Sequence, residues 1–312
     1  MTDTIRIGTR GSALALAQTG TVARSLSAKL SRPVELVTIS TEGDRSNQSL
    51  STIGGTGVFA SALREALLAG ECDAIVHSLK DLPTAPHPGL VIAAIPKRED
   101  ARDALCARDG LTLDTLPAGA KVGTGSPRRQ AQLKARRPDL EVVDIRGNID
   151  SRLSRITDTV PEEKRLDAVI LAAAGLSRIG RLGVISEYLN IDGWPTAPGQ
   201  GALAIEVREG DEKLVRSLDH YTTRLNVEAE RHVLAVLEAG CAAPVGAHAM
   251  VDDGLIFLSA RVYSPDGQDL LTSSHALYVS DVTNPSREVA TRVAEELLEG
   301  GAAAFAPVGT TS

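Results

Sequence analysis

The sequence is short of cysteine, of aromatic residues, of positive charge and of long apolar runs, and each shortage excludes something. Its three cysteines, Cys72, Cys106 and Cys241, are odd in number, widely spaced and free of any Cys-x-x-Cys pair, so neither a disulfide framework nor a metal site is indicated. Aromatics make up only 3% of the chain, which leaves Ala, Val, Leu and Ile to build the core and favours helices packed on buried, largely parallel strands. No segment offers the roughly 20 apolar residues of a membrane span, and Met1 to Ile7 has no basic stretch followed by an apolar one. The expectation is a cytoplasmic protein with no membrane partner. A net charge of −7 argues against a broad grip on nucleic acid, which needs a surplus of cations, so any anion site must be local.

The 312 residues, 43% of them hydrophobic, can bury a large core and suggest two or three domains of α/β class. A strand from Thr4 to Gly8 leads through Thr9-Arg10-Gly11-Ser12 into a predicted helix from Ala13 to about Leu30, with Ser12 as N-cap. The same device returns at Val122-Gly123-Thr124-Gly125-Ser126-Pro127, now with proline at the first helical position. A second echo pairs Asp73 to Val76 with Asp167 to Ile170, both read as buried strands preceded by helical sequence. Phe59, Leu63, Ala66 and Leu67 form one apolar helix face ahead of a turn at Gly70. Two similar α/β halves are implied. Another strand is expected from Ala202 to Arg208. Beyond it, Asp253-Gly254 and Pro265-Asp266-Gly267 separate the apolar runs 247–251, 255–262 and 270–278, a small antiparallel meander. A helix from about Ser286 to Glu299 would cover one face of it, and the residues from Gly300 read as a frayed tail.

Arginines stand in or beside turns of this acidic chain: Arg10, Arg128, Arg129, Arg146, Arg152 and Arg178. Singly, each reads as a solvated surface charge. As a set they suit carboxylates or phosphates, because a guanidinium is always charged and planar and the helix starts at Ser12 and Ser126 add N–H groups and a positive dipole end. Arg128-Arg129 fall in a first helical turn, where the dipole disfavours cations, and no structural reason for the pair is legible. His77-Ser78-Leu79-Lys80-Asp81-Leu82-Pro83 follows a strand, at the end where open α/β sheets place ligands. Lys80 and Asp81 there suit acid/base work, or form a solvated ion pair in a turn. His77 has no legible partner and reads as structural. Cys241 follows Gly240, expected to end the helix that carries Leu225, Ala229, His232 and Val236, so its thiol lies in a loop before Pro244. Cys72 and Cys106 read as small buried residues in apolar strand sequence.

Six motifs stand in one order: Ile7 to Ser12, Val76 to Pro83, Gly123 to Gln130 (Gly-Thr-Gly-Ser-Pro-Arg-Arg-Gln), Ile145 to Asn148, Ala197 to Gly201 (Ala-Pro-Gly-Gln-Gly) and Ala239 to Cys241. Together they resemble the porphobilinogen deaminase family over nearly the whole chain. The resemblance implies an α/β fold of two periplasmic-binding-protein-like lobes with a cleft between them, residues 1–98 with 199–220 and residues 99–198. It also implies a small C-terminal α+β domain, residues 221–312, carrying the cofactor cysteine loop. The implied activity is hydroxymethylbilane synthesis in tetrapyrrole (heme) biosynthesis. Four porphobilinogen units are condensed stepwise, with loss of ammonia, onto a dipyrromethane cofactor joined to Cys241 by a thioether, and water then releases the product.

By motif position the resemblance makes Asp81 the catalytic residue and assigns Lys80, Asp81, Ser126, Arg128 and Arg129 to the cofactor. Arg10, Ser12, Arg146, Arg152, Arg178 and Gln200 would face the substrate and growing chain. Every pyrrole brings two carboxylates, which gives the arginine series a reason. A monomer whose partner is the small-molecule substrate is implied. Three positions depart from the family's usual pattern: Thr56 where lysine is common, Gly125 in place of a hydroxyl residue and Ala239 in place of a glycine. The segment of about residues 43 to 58 is expected to act as a lid. A non-catalytic solute-binding or sensing module is the rival reading of a two-lobed, arginine-lined pattern, and it leaves Cys241 and Lys80-Asp81 without a purpose.

Overall fold

The computed structural model describes residues 4–39, 57–239 and 243–305, with side chains from Ala60 onward in the second stretch. Thr56, Gly240, Cys241 and most of the expected lid lie outside the described residues. The chain divides into two compact units, one within Met1–Glu99 and Gly201–Arg224, the other within Asp100–Gln200 and Leu225–Ser312. Elements are numbered in chain order.

The first unit is a five-stranded sheet of β1 (Ile5–Thr9), β2 (Val34–Thr38), β3 (Ala74–Ser78), β4 (Leu90–Ala94) and the late-arriving β10 (Leu203–Arg208), in the order β2-β1-β3-β10-β4. The trio β2, β1, β3 is parallel, and β10 runs antiparallel to β3 and β4. Helices α1 (Ala13–Leu30) and α2 (Gly57–Leu68) complete it. Ile5, Ile7, Leu26, Val76 and Ile205 close one core, and Leu63, Leu67, Cys72 and Ile75 another. Strands buried on both faces read as continuous apolar runs rather than alternating ones, which is why Ala74-Ile75-Val76 was legible as a strand. Cys72 is buried as expected, but in the turn before β3 rather than in a strand.

The second unit repeats the plan. Strands β5 (Asp103–Ala107), β6 (Lys121–Gly123), β7 (Glu141–Val143), β8 (Ala168–Ala172) and β9 (Glu187–Tyr188) take the order β7-β6-β8-β5-β9. The trio β7, β6, β8 is again parallel, with β5 antiparallel beside β8. The strand-turn-helix echo in the sequence is therefore the same position in two sheets: β1 into α1, and β6 into α3 (Pro127–Arg136). The predicted caps hold, since Ser12 Oγ accepts the Ala15 N–H at 3.3 Å and Ser126 Oγ accepts the Arg129 N–H at 3.5 Å. Two short helices, α4 (Ile149–Leu153) and α5 (Ala173–Arg178), follow β7 and β8.

The same unit contains the expected meander of β11 (Val245–Asp252), β12 (Leu255–Tyr263) and β13 (Leu270–Tyr278), reached from α6 (Tyr221–Val236) and covered by α7 (Pro285–Glu299). Val289, Val293 and Leu297 of α7 pack on Ile256 and Leu258. Two expectations need correction. Helix α6 ends at Val236, ahead of Gly240: Glu238 adopts a left-handed φ of 48°, Ala239 N–H donates to Leu234 O at 2.9 Å and Glu238 N–H to Ala235 O at 3.2 Å. This is a Schellman closure, placed there because Ala239 is buried in the core and the chain must turn to put it there. The tail is not frayed as far as Phe305, since Ala302 is buried in that core and Phe305 packs against it.

Candidate active site

In the first unit β1 and β3 are parallel neighbours, so the segments leaving their C-terminal ends share one edge of the sheet. One is the Arg10-Gly11-Ser12 turn into α1. The other is a single 3-10 turn, Leu79–Asp81, begun when Leu79 N–H donates to Ala202 O at 3.0 Å. Leu79 and Leu82 are buried and anchor the turn, while Asp81 is exposed and Lys80, Arg10 and Ser12 are partly so. From α1, Gln18 Nε2 donates to Ser78 Oγ at 3.0 Å and Thr19 Oγ1 to Thr9 Oγ1 at 2.8 Å, tying both strand ends to the helix. His77 has a partner that the sequence did not reveal: its Nε2 stands 2.9 Å from Glu206 Oε2 on β10, without hydrogen-bond alignment. Arg64 of α2 grips the same carboxylate through Nε at 3.0 Å and Nη2 at 2.7 Å. Burial pushes the Glu206 carboxyl up, but His77 and Arg64 outweigh burial and bring it down to about 2.

The second unit carries the other set, again at C-terminal strand ends. Arg128 and Arg129 do not lie in solvent on the first turn of α3. Their side chains are only 4% and 6% exposed and converge on Asp103 of β5, which is wholly buried. Asp103 Oδ2 accepts from Arg128 Nη2 and from the Trp194 indole N–H, both at 2.9 Å. Its Oδ1 accepts from Arg129 Nη2 at 2.6 Å and Gln200 Nε2 at 2.8 Å. Burial raises the Asp103 carboxyl, yet Arg128 and Arg129 hold it far below the usual carboxylate range. The sequence showed no structural reason for an arginine pair at a helix start, and Asp103 is that reason. Gln200, expected to face substrate, is fully buried and spends its amide on Asp103 and on Ala101 O at 2.8 Å. Arg146 is exposed near Asp144 at 3.7 Å, Arg152 Nε donates to Gly147 O at 2.8 Å, and Arg178 ends α5; the three follow β7 and β8.

Asp103, Trp194 and Glu206 escaped the sequence reading. A signal existed for the two acids: Asp103 opens the apolar run Ala-Leu-Cys-Ala and Glu206 interrupts Leu-Ala-Ile-Glu-Val, and a charge buried in a strand requires a partner.

A family model described as "Porphobilinogen deaminase, dipyromethane cofactor binding domain" matches residues 5–216, and one described as "Porphobilinogen deaminase, C-terminal domain" matches residues 224–299. The chain belongs to the porphobilinogen deaminase family. The porphobilinogen deaminase of Leifsonia xyli is 58% identical over 316 residues, covering 97% of this chain and 94% of that protein. That of Nocardia farcinica is 54% identical over 312 residues, covering 96% and 86%. Among solved structures, a periplasmic substrate-binding protein of an ABC transporter from Coxiella burnetii is similar at 15% identity and a TM-score of 0.42, covering 69% of this chain and 89% of that one. Porphobilinogen deaminases are hydroxymethylbilane synthases, transferases of tetrapyrrole biosynthesis, and this chain is one of them, with a dipyrromethane cofactor. Among the described residues no helix is long and apolar enough to cross a membrane.

The donor set fits that cofactor. A dipyrromethane bears acetate and propionate groups, and two guanidinium groups against one carboxylate leave the Arg128, Arg129 and Asp103 cluster with a positive surplus. The Nε–H groups of both arginines are buried without an acceptor, a costly arrangement unless an anion offsets it.

Proposed function

We propose that this enzyme joins porphobilinogen units to a dipyrromethane held by a thioether to Cys241, with Asp81 as the catalytic carboxylate. The supporting observation is the anchored turn of Leu79–Asp81, which presents an exposed acid at the C-terminal end of β3 beside the Arg10 to Ser12 turn. Porphobilinogen reacts when its aminomethyl group leaves as ammonia, and the positive charge that develops spreads over the pyrrole ring and its N–H. The Asp81 carboxylate accepts that N–H and opposes the charge as it forms, which is electrostatic stabilisation of the transition state. The new C–C bond forms at a pyrrole carbon that then gives up its proton. The cofactor, when bound, supplies the first such carbon. Lys80, Ser126, Arg128 and Arg129 hold its carboxylates, and Arg10, Ser12, Arg146, Arg152 and Arg178 take those of the incoming substrate and growing chain. Gln200 serves indirectly, by holding Asp103. Four condensations precede hydrolysis, and the enzyme works as a cytoplasmic monomer without nucleic-acid or membrane partners, its C-terminal domain of residues 221–312 carrying the cysteine loop.

Intact mass and turnover test this together. Asp81→Asn should keep the mass of the dipyrromethane adduct while losing at least about a hundredfold in turnover, the scale of a lost electrostatic stabiliser. Cys241→Ser should show the bare polypeptide mass. Near-normal turnover by Asp81→Asn, or a normal adduct on Cys241→Ser, would remove the assignment.

A further inference from the structure

Asp103 opens β5, the strand with which the chain enters the second sheet, and among the described residues its carboxylate is the one that meets Arg128 and Arg129. Each oxygen takes one guanidinium N–H and one neutral N–H, from Trp194 on one side and Gln200 on the other. A carboxylate has about four acceptor positions, so all of them are filled. The remaining partners are neutral: Arg128 Nη1 donates to Gln132 Oε1 at 2.6 Å and Pro195 O at 3.0 Å, and Arg129 Nη1 to Ile170 O at 3.0 Å. Two cations and one anion therefore share a desolvated cluster that keeps a single unit of positive charge. A buried charge without a counter-charge is strongly destabilising, and a charge once balanced against one anion has little left for a second.

We propose that Asp103 is the positioning residue of the arginine pair: it sets the direction of both guanidinium forks and limits their surplus to one charge, so that the pair takes one carboxylate of the cofactor. This rests on the reading that Arg128 and Arg129 hold the cofactor. The chain contains one tryptophan, Trp194, and its indole N–H ends on Asp103, so tryptophan emission reports on this cluster alone.

The test compares Asp103→Asn, Arg128→Gln, Arg129→Gln and the double variant Asp103→Asn/Arg128→Gln as full-length proteins, by intact mass for the adduct, by turnover and by Trp194 emission. Asparagine leaves two charges in surplus and turns an N–H towards donors. Asp103→Asn is expected to carry the adduct on fewer than about one molecule in ten, with Trp194 emission displaced. The double variant returns to one surplus charge and should carry at least about three times as much adduct as Asp103→Asn, a non-additive rescue. Full loading of Asp103→Asn with unmoved emission overturns the proposal, and so does a double variant that loads no better than Asp103→Asn. If Asp103→Asn does not fold, the double variant decides alone: folded and loaded supports the charge argument, unfolded or unloaded refutes it. Full loading and turnover by both Arg128→Gln and Arg129→Gln would instead overturn the reading that the pair holds the cofactor.

Discussion

Glu206 should make the first unit acid-sensitive by a predictable amount. The carboxylate is buried between Arg64 and His77, and its pKa falls from an ordinary 4.5 to about 2 in the folded state. A pKa lower in the folded than in the unfolded chain stabilises the fold fully above the unfolded value, and that stabilisation disappears as pH falls from about 4.5 towards 2. At about 1.4 kcal/mol per tenfold change in proton affinity, ionised rather than protonated Glu206 stabilises the fold by about 3 kcal/mol at neutral pH. Glu206→Gln removes this titration and strands the Arg64 charge, so it should cost about 3–5 kcal/mol at pH 7. The assay is urea unfolding followed by far-UV circular dichroism at several pH values from 7 down to 2.5. The stability of the unsubstituted protein should fall more steeply than that of Glu206→Gln below pH 4.5, and the two curves should converge. Parallel curves over that range would show that Glu206 does not titrate as its contacts require.

Placing a hydroxyl residue at Gly125 should harm this chain. A Cβ at that position would lie 2.5 Å from the backbone oxygen of Ile145, which cannot yield as a flexible side chain can. Gly125→Ser should cost about 1–3 kcal/mol, read as a lower urea midpoint, and an unchanged or raised midpoint would contradict the packing argument. The thiols of Cys72 and Cys106 should not alkylate in the folded protein at pH 8, because burial raises both and pushes Cys106 up to about 12. Peptide mass mapping should find both modified only after unfolding, and labelling of either in the native protein would refute this.

Much of the fold was legible because its signals are local. Ser12 and Ser126-Pro127 announce helix starts within four residues, Asp253-Gly254 announces a hairpin with both residues at positive φ, and the buried strands declare themselves as apolar runs. The candidate site was legible as an ordered set of motifs, with Lys80-Asp81 at a strand end and arginines in turns. The end of α6 was misjudged because Gly240 was the obvious terminator, whereas the burial of Ala239 imposed the left-handed turn on Glu238.

What the amino-acid sequence determined alone was the pair of strand-turn-helix units, the C-terminal meander with its covering helix, and which family the chain resembles. Tertiary structure alone decided the partners of the buried charges. Arg128 meets Asp103 across 25 residues, Arg129 meets Gln200 across 71 and Arg64 meets Glu206 across 142. Helix caps and turns are satisfied by atoms a few bonds away, so composition reveals them. A buried ion cluster is satisfied by whichever donors the finished sheets bring together, and nothing near each residue in the chain marks which those are.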